Sequence, residues 1–210
     1  MKHEINQGLL SDNGEKRRKI YILRHGETAL NVTDRIRGWS DVPLDDKGVA
    51  QAIKMGKKLR DSDLTMLIAS DLTRTLQTAR NVSEESGKPV VHATQILRPW
   101  NVGKYTGHPA SEVHPILLKM ATETPEENIP EGESFESFKN RVLMGIIAFL
   151  NQYPHEIIGF VVHHRNDRIV RAWYEAGCPS DFEVDLAHFN QKGIEPGTFD
   201  VLEIKSNLLK

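Results

Sequence analysis

Three features of this 210-residue chain predict an α/β fold: a three-layer sandwich with a largely parallel central sheet flanked by helices. Short apolar runs end abruptly on polar or charged residues, as buried strands do where they hand over to loops. Segments of helical periodicity alternate with these runs. Between the third and fourth strands lies a stretch rich in Pro, Gly and polar groups, which fits an excursion above the sheet. Alternation of this kind buries a parallel sheet on both faces.

The elements follow in order. Ile20-Tyr21-Ile22-Leu23 is the first strand and delivers Arg24-His25-Gly26 to a loop. Asp45 or Asp46 caps a helix to about Arg60, with Val49, Ala52, Ile53, Gly56 and Leu59 on one face. Thr65 to Ala69 is the second strand, followed by Ser70-Asp71 and a helix from about Leu72. Pro89-Val90-Val91 begins a third strand. Ser134 to Tyr153 is helical through Phe138, Val142, Ile146 and Phe149. Ile157 to Val162 is the fourth strand and ends on His163-His164; a helix from about Asn166 to Ala176 and a last strand from Thr198 to Ile204 complete the set. Residues 100–131 form a loop or cap insertion of loops and short helices.

Residues 1–19 are polar and charged, with neither the apolar core of a signal peptide nor a membrane span, and read as a mobile extension of a single domain over 20–210. Lys plus Arg number 27 against 29 Asp plus Glu, a formal charge of -2, so no global basic field draws the chain to nucleic acid or membrane. Any anion must be gripped locally. The single cysteine, Cys178, cannot form an internal disulfide, and a cytoplasmic location is the expectation. It reads as a small buried side chain.

In an open parallel sheet the ligand site lies beyond the carboxyl ends of the strands. The first strand supplies Arg24 and His25, the Ser70 loop leads to Arg74, and the fourth strand supplies His163 and His164 with Arg168 beyond. Guanidinium forks match phosphoryl oxygens in bidentate fashion, and imidazole can attack phosphorus. Either His163 or His164 can be the second histidine of such a site.

The run Arg24-His25-Gly26-Glu27-Thr28, followed by Asn31, Arg35, Gly38, Asp41, Pro43, Leu44, Gly48 and Gln51, resembles the histidine phosphatase superfamily, also called phosphoglycerate mutase-like. Ser70-Asp71-Leu72, Arg74-Thr75, Gln77-Thr78-Ala79 and Gly132-Glu133-Ser134 are similar to further motifs of that family, in its order. The resemblance implies that His25 accepts the phosphoryl group and that Arg24 and Arg74 hold its oxygens. The second histidine donates hydrogen bonds to the same group. Asn31, Arg35 and Gly38 belong to the substrate pocket, and no cofactor or metal is implied. The family's spacing of an arginine five residues after its second histidine favours His163, with Arg168 as that arginine, and leaves His164 as the alternative.

One departure accompanies the match. The family's Leu-x-Glu-x-x-x-Gly pattern, whose glutamate protonates the leaving oxygen, reads here Leu97-Arg98-Pro99-Trp100-Asn101-Val102-Gly103. Proline cannot donate a proton, and losing a general acid costs about 10²–10⁴ in rate for a poor leaving group. A surrogate acid, with Asp167 and His164 ahead of His108 and Glu133, would restore it. An easy leaving group such as that of a phosphoramidate would dispense with it, and a protein that only binds phosphate compounds would not need it.

The expectation is a metal-independent phosphatase that forms phosphohistidine on His25, acting on a small phosphorylated substrate or a phosphoprotein. The alternatives are a phosphoglycerate-type mutase and a catalytically impaired binding protein. Neither nucleic acid nor membrane is an expected partner, and homo-oligomerisation stays open. The spacing of His92, His108, His114, His155 and His188 gives no metal-binding pattern. Trp39 and Trp100 fit a substrate wall or loop packing equally, and Arg168 or Arg171 can pair with Glu175.

Overall fold

A computed structural model describes residues 17–191 and 193–205. Its order is β1 (Arg17–Arg24), α1 (Ala29–Val32), α2 (Asp46–Leu59), β2 (Met66–Ser70), α3 (Thr73–Ser86), β3 (Val90–Thr94), α4 (Ala110–Glu123), α5 (Phe135–Gln152), β4 (Ile158–Val162), α6 (His164–Glu175), α7 (Leu186–Phe189) and β5 (Phe199–Lys205). The five strands form one sheet in the order β3-β2-β4-β1-β5. β1, β2, β3 and β4 run parallel, and β5 pairs antiparallel to β1 at the edge.

Side chains alternate across each strand, and that alternation makes the three layers. Ile20, Ile22, Met66, Ile68, Ile158, Phe160 and Val162 pack with Val113 and Leu117 of α4, Phe138, Val142 and Ile146 of α5, and Ile169 and Trp173 of α6. Tyr21, Leu23, Leu67, Ala69 and Val161 face the other way, onto Met55 and Leu59 of α2 and Ala79 and Val82 of α3.

Four expectations need correction. The first strand starts at Arg17, not Ile20, because β5 extends the pairing to Arg17↔Lys205; residues 1–16 of the expected extension lie outside the described residues. The buried face of α2 centres on Gly48, Ala52, Met55, Gly56 and Leu59, leaving Val49 and Ile53 half-buried. α6 begins at His164 with His163 as its N-cap, so almost no loop separates it from β4. The 100–131 segment carries α4, a 14-residue helix whose Ala110, Val113, Leu117 and Ala121 are buried. That spacing of three, four and four is helical, but Pro115 inside the run hides it, since proline there removes a backbone donor.

Candidate active site

The registers Arg24↔Val162 and Ala69↔Val161 bring the carboxyl ends of β1, β2 and β4 into one row. Arg24, His25, Ser70 and His163 therefore sit side by side. Around them lies a cavity of about 230 Å³. Its walls include Arg24, His25, Asn31, Gly38, Arg74, His163 and His164, all expected there, and also Asp34, Arg37, His114 and Arg165.

His25 is 2% exposed. Its Nδ1 lies 2.7 Å from the Gly26 carbonyl, which can only accept, so Nδ1 carries the proton and Nε2 keeps its lone pair. Burial first, then the charges of Arg74, Arg37 and Arg24, hold its pKa well below the ordinary 6.5. The ring is neutral and nucleophilic.

The loop that carries His25 is fixed by backbone contacts a larger residue would forbid. A Cβ on Gly26 would stand 2.3 Å from the Gly48 carbonyl oxygen, and one on Gly48 2.1 Å from the Glu27 carbonyl oxygen. With both glycines in place, Gln51 accepts from the Glu27 N–H at 2.8 Å, and Thr78 Oγ1 accepts from the Gly26 N–H at 3.2 Å. Gly48, Gln51 and Thr78 thus serve as clamps on the nucleophile's loop.

His163 is equally buried and meets His25 edge to face, with ring centroids 5.2 Å apart. Its Nδ1 accepts from Nε of Arg74 at 3.3 Å, so its Nε2–H donates to Ser70 Oγ at 2.9 Å. Both nitrogens are engaged with the protein, and in this arrangement His163 orients Arg74. Arg74 also donates to the carbonyls of Ser40 at 2.7 Å and Gly38 at 3.2 Å. Gly38 has φ +49°, a backbone that favours glycine. Burial and then Arg37 lower the Arg74 pKa to about 9, while Asp41 raises it.

Arg24 donates to the Ile194 carbonyl at 2.6 Å, and its buried Nε has no partner. Burial, followed by Arg37, lowers its pKa to about 10. Arg37, absent from the sequence-based set, bonds Thr28 Oγ1 at 3.2 Å and Asn31 Oδ1. Asn31 therefore aims Arg37. Arg35 reaches the cavity rim but is exposed and donates to the Gly107 carbonyl at 2.6 Å. No local pattern separates Arg37 from Arg35, since both flank buried Ile36, and only the fold brings Arg37 to the cavity.

Arg168 is set apart: it lines an adjoining cavity of about 430 Å³ with its guanidinium 4.9 Å above Phe189. Its neighbour Arg165 lines both cavities, and burial followed by the charges of Arg168 and Arg37 lowers its pKa to about 10.

The proposed surrogate acids fare differently. Asp167 is fully buried but does not line the cavity: Oδ1 receives Arg171 Nε at 2.7 Å and Oδ2 receives the Ile194 N–H at 2.8 Å. It is a positioning carboxylate, since Ile194 in turn holds Arg24. Arg171 pairs with Asp167 and Asp200 rather than with Glu175. Glu133 is held by two nitrogens of Arg141 and accepts the Asn101 N–H at 2.9 Å. His108 lies off the cavity. His164 does line it; burial and then Arg24, Arg168, Arg165 and Arg37 push its pKa to about 2, so the ring is neutral in this field.

Pro99 stands in the cavity wall, and its carbonyl accepts from Trp39 Nε1 at 2.8 Å. Trp39 lies beneath Arg98, 4.7 Å from the ring centroid, and Arg98 forms a two-pronged pair with Asp71 at 2.7 Å per bond. Trp100 is buried against Phe135 and Phe138 and is core packing. Cys178 is buried as expected. Among the described residues no group of His, Cys, Asp and Glu could hold a metal ion, and no helix is long and apolar enough to cross a membrane.

The model of the histidine phosphatase superfamily (branch 1) matches residues 20–207. The chain is 35% identical over 128 residues to a probable phosphoglycerate mutase, GpmB, of Yersinia pestis and to that of Yersinia pseudotuberculosis. The match covers 59% of the chain and 59% of the length of these curated relatives. Among solved structures, YhfR of Bacillus stearothermophilus superposes with a TM-score of 0.72 at 26% identity, covering 87% of this chain and 89% of that one. A mycobacterial glucosyl-3-phosphoglycerate phosphatase, solved with VO3, superposes with a TM-score of 0.67 at 23% identity over 88% and 92%, a likeness of fold.

Proposed function

The chain belongs to the histidine phosphatase superfamily, and from that premise we propose that it is a metal-independent phosphatase working through phosphohistidine on His25. The observation that carries this reading is the His25 tautomer: the Gly26 carbonyl fixes the proton on Nδ1 and leaves the Nε2 lone pair in a cavity lined by arginines. Nε2 attacks phosphorus, the bond to the leaving oxygen breaks, and water later hydrolyses the N–P bond. Arg24, Arg37 and Arg74 meet the charge spread over the equatorial oxygens, so most of the acceleration comes from positioning and electrostatics. The cradle sits in a site that Ser40, Gly38 and Ile194 hold rigid through their carbonyls. Phosphomonoesters and phosphoramidates are the substrate classes, on a small molecule or a phosphoprotein.

A phosphoglycerate-type mutase is the second reading, favoured by the named activity of the Yersinia relatives; Pro99 in the cavity wall weighs against it, because it stands where mutases of the family keep their acidic glutamate. The deciding experiment incubates the protein with para-nitrophenyl phosphate, a phosphoramidate, and 3-phosphoglycerate with a bisphosphoglycerate primer, beside His25→Ala. Hydrolysis of either of the first two, lost in His25→Ala, supports the phosphatase. Primer-dependent isomerisation moves the assignment to mutase, and vanadate binding without turnover moves it to a phosphate-binding protein.

A further inference from the structure

Leaving-group protonation lacks an assigned donor, and the cavity wall supplies one the family pattern does not. With Asp167 and Glu133 committed to arginines off the cavity and His164 held neutral among four arginines, Asp34 and His114 remain in the wall. They come from segments remote in sequence that are stitched together. Arg35 bridges Pro109, the Asp34 carbonyl accepts the Ala110 N–H at 2.8 Å, the His108 carbonyl accepts the Ile36 N–H at 3.0 Å, and the Ile36 carbonyl accepts the Gly107 N–H at 2.7 Å. These bonds tie the start of α4 to the loop, with Asp34 at φ +47° so that it turns onto the cavity.

His114, the fifth residue of α4, stands where the two cavities meet: with Arg165 it lines both. A substrate whose phosphoryl group lies at His25 and whose remainder extends into the second cavity must pass its bridging oxygen by this junction. We propose that His114, assisted by Asp34, is the general acid that protonates the leaving oxygen and then the base that activates water. This rests on the phosphohistidine reading of His25.

The proton balance is simple. In the first step Nε2 of His25 bonds to phosphorus, the P–O bond breaks with its electron pair going to the leaving oxygen, and imidazolium His114 gives that oxygen its proton. In the second, neutral His114 takes a proton from water, the water oxygen bonds to phosphorus, and the N–P electron pair returns to His25. The groups facing His114 are Asp34 on the loop and Arg165 and Arg168 on α6. Burial and the two arginines lower its pKa, while Asp34 raises it. Burial still disfavours the charged ring, but a phosphate dianion in the cavity offsets the two arginines, so substrate binding raises the ring's affinity for a proton beside Asp34.

The test compares phenyl phosphate, a poor leaving group, with 2,4-dinitrophenyl phosphate, a good one. His114→Gln is expected to lower kcat/KM for phenyl phosphate by about 10²–10³ and to leave kcat/KM for the dinitrophenyl ester, whose leaving group needs no proton, nearly unchanged, while kcat falls on both because water activation is lost. Asp34→Asn, which keeps a side chain tolerant of that backbone, is expected to move the basic limb of the phenyl phosphate kcat profile to lower pH. An equal loss of kcat/KM on both esters, or none on phenyl phosphate, overturns the role of His114 while leaving phosphohistidine formation intact. If wild type given the dinitrophenyl ester leaves no phosphate on His25, the underlying reading falls and this one with it.

Discussion

Nε of Arg74 donates to Nδ1 of His163 across 3.3 Å, and this fixes the proton of His163 on the nitrogen facing Ser70. One hydrogen bond therefore sets both a guanidinium's orientation and a tautomer. Arg74→Lys keeps the charge but cannot span His163, Ser40 and Gly38 together. We expect kcat/KM to fall by about 10²–10³, as for loss of one preorganised transition-state donor. Steady-state kinetics beside circular dichroism separates this from misfolding.

Asp167 links Arg171 to the Ile194 backbone, which holds Arg24. Asp167→Asn should destabilise the fold by about 3 kcal/mol, the lower end for a broken buried pair, because Arg171 retains Asp200. Its effect on phenyl and dinitrophenyl phosphates should be equal, since positioning of Arg24 serves both. A loss confined to phenyl phosphate would show Asp167 to be an acid after all. Denaturant titration and the two ester assays supply the readouts.

Gly48→Ala places a methyl 2.1 Å from the Glu27 carbonyl oxygen. Helix α2 must move away from the His25 loop, at a cost of about 1–3 kcal/mol or more, with a parallel drop in kcat. Gly87→Ala is the control for the position of a clash: a Cβ there meets nothing within 4 Å, although its φ of +74° carries its own strain. Gly87→Ala should lose stability and keep kcat.

Burial holds His25 and His163 well below the 6.5 of a free histidine. Below about pH 6.5 the unfolded chain binds protons that the folded chain refuses. Stability is thus complete above that value and lost as pH falls, by up to about 1.4 kcal/mol per pH unit for each ring. Urea titrations at neutral and mildly acidic pH should show the loss, with a smaller slope in His163→Gln.

Much of the site was legible because it sits on strand ends. An apolar run that stops at Arg24-His25, and another that stops at His163, announce both the strands and the row of groups beyond them. The helical run from Ser134 was legible too, and in the structure that residue caps α5, accepting the Ser137 N–H at 3.0 Å. Arg168 was misplaced because a fixed spacing from His163 says how far along α6 it lies, while the angle at which α6 leaves the sheet decides which cavity it faces. The Asp167 carboxylate is turned from the cavity for the same reason: its partner Ile194 approaches from 27 residues away.

By itself the sequence determined the alternation of elements, the place of His25 at a strand end and the arginine-rich character of its surroundings, because apolar periodicity and residue type act locally. Tertiary structure alone decided which arginines converge, which nitrogen of His25 carries the proton, and that Asp34 and His114 share a wall. Those depend on registers and on loop-to-helix hydrogen bonds between segments remote in the chain, and no local pattern records where two remote segments meet.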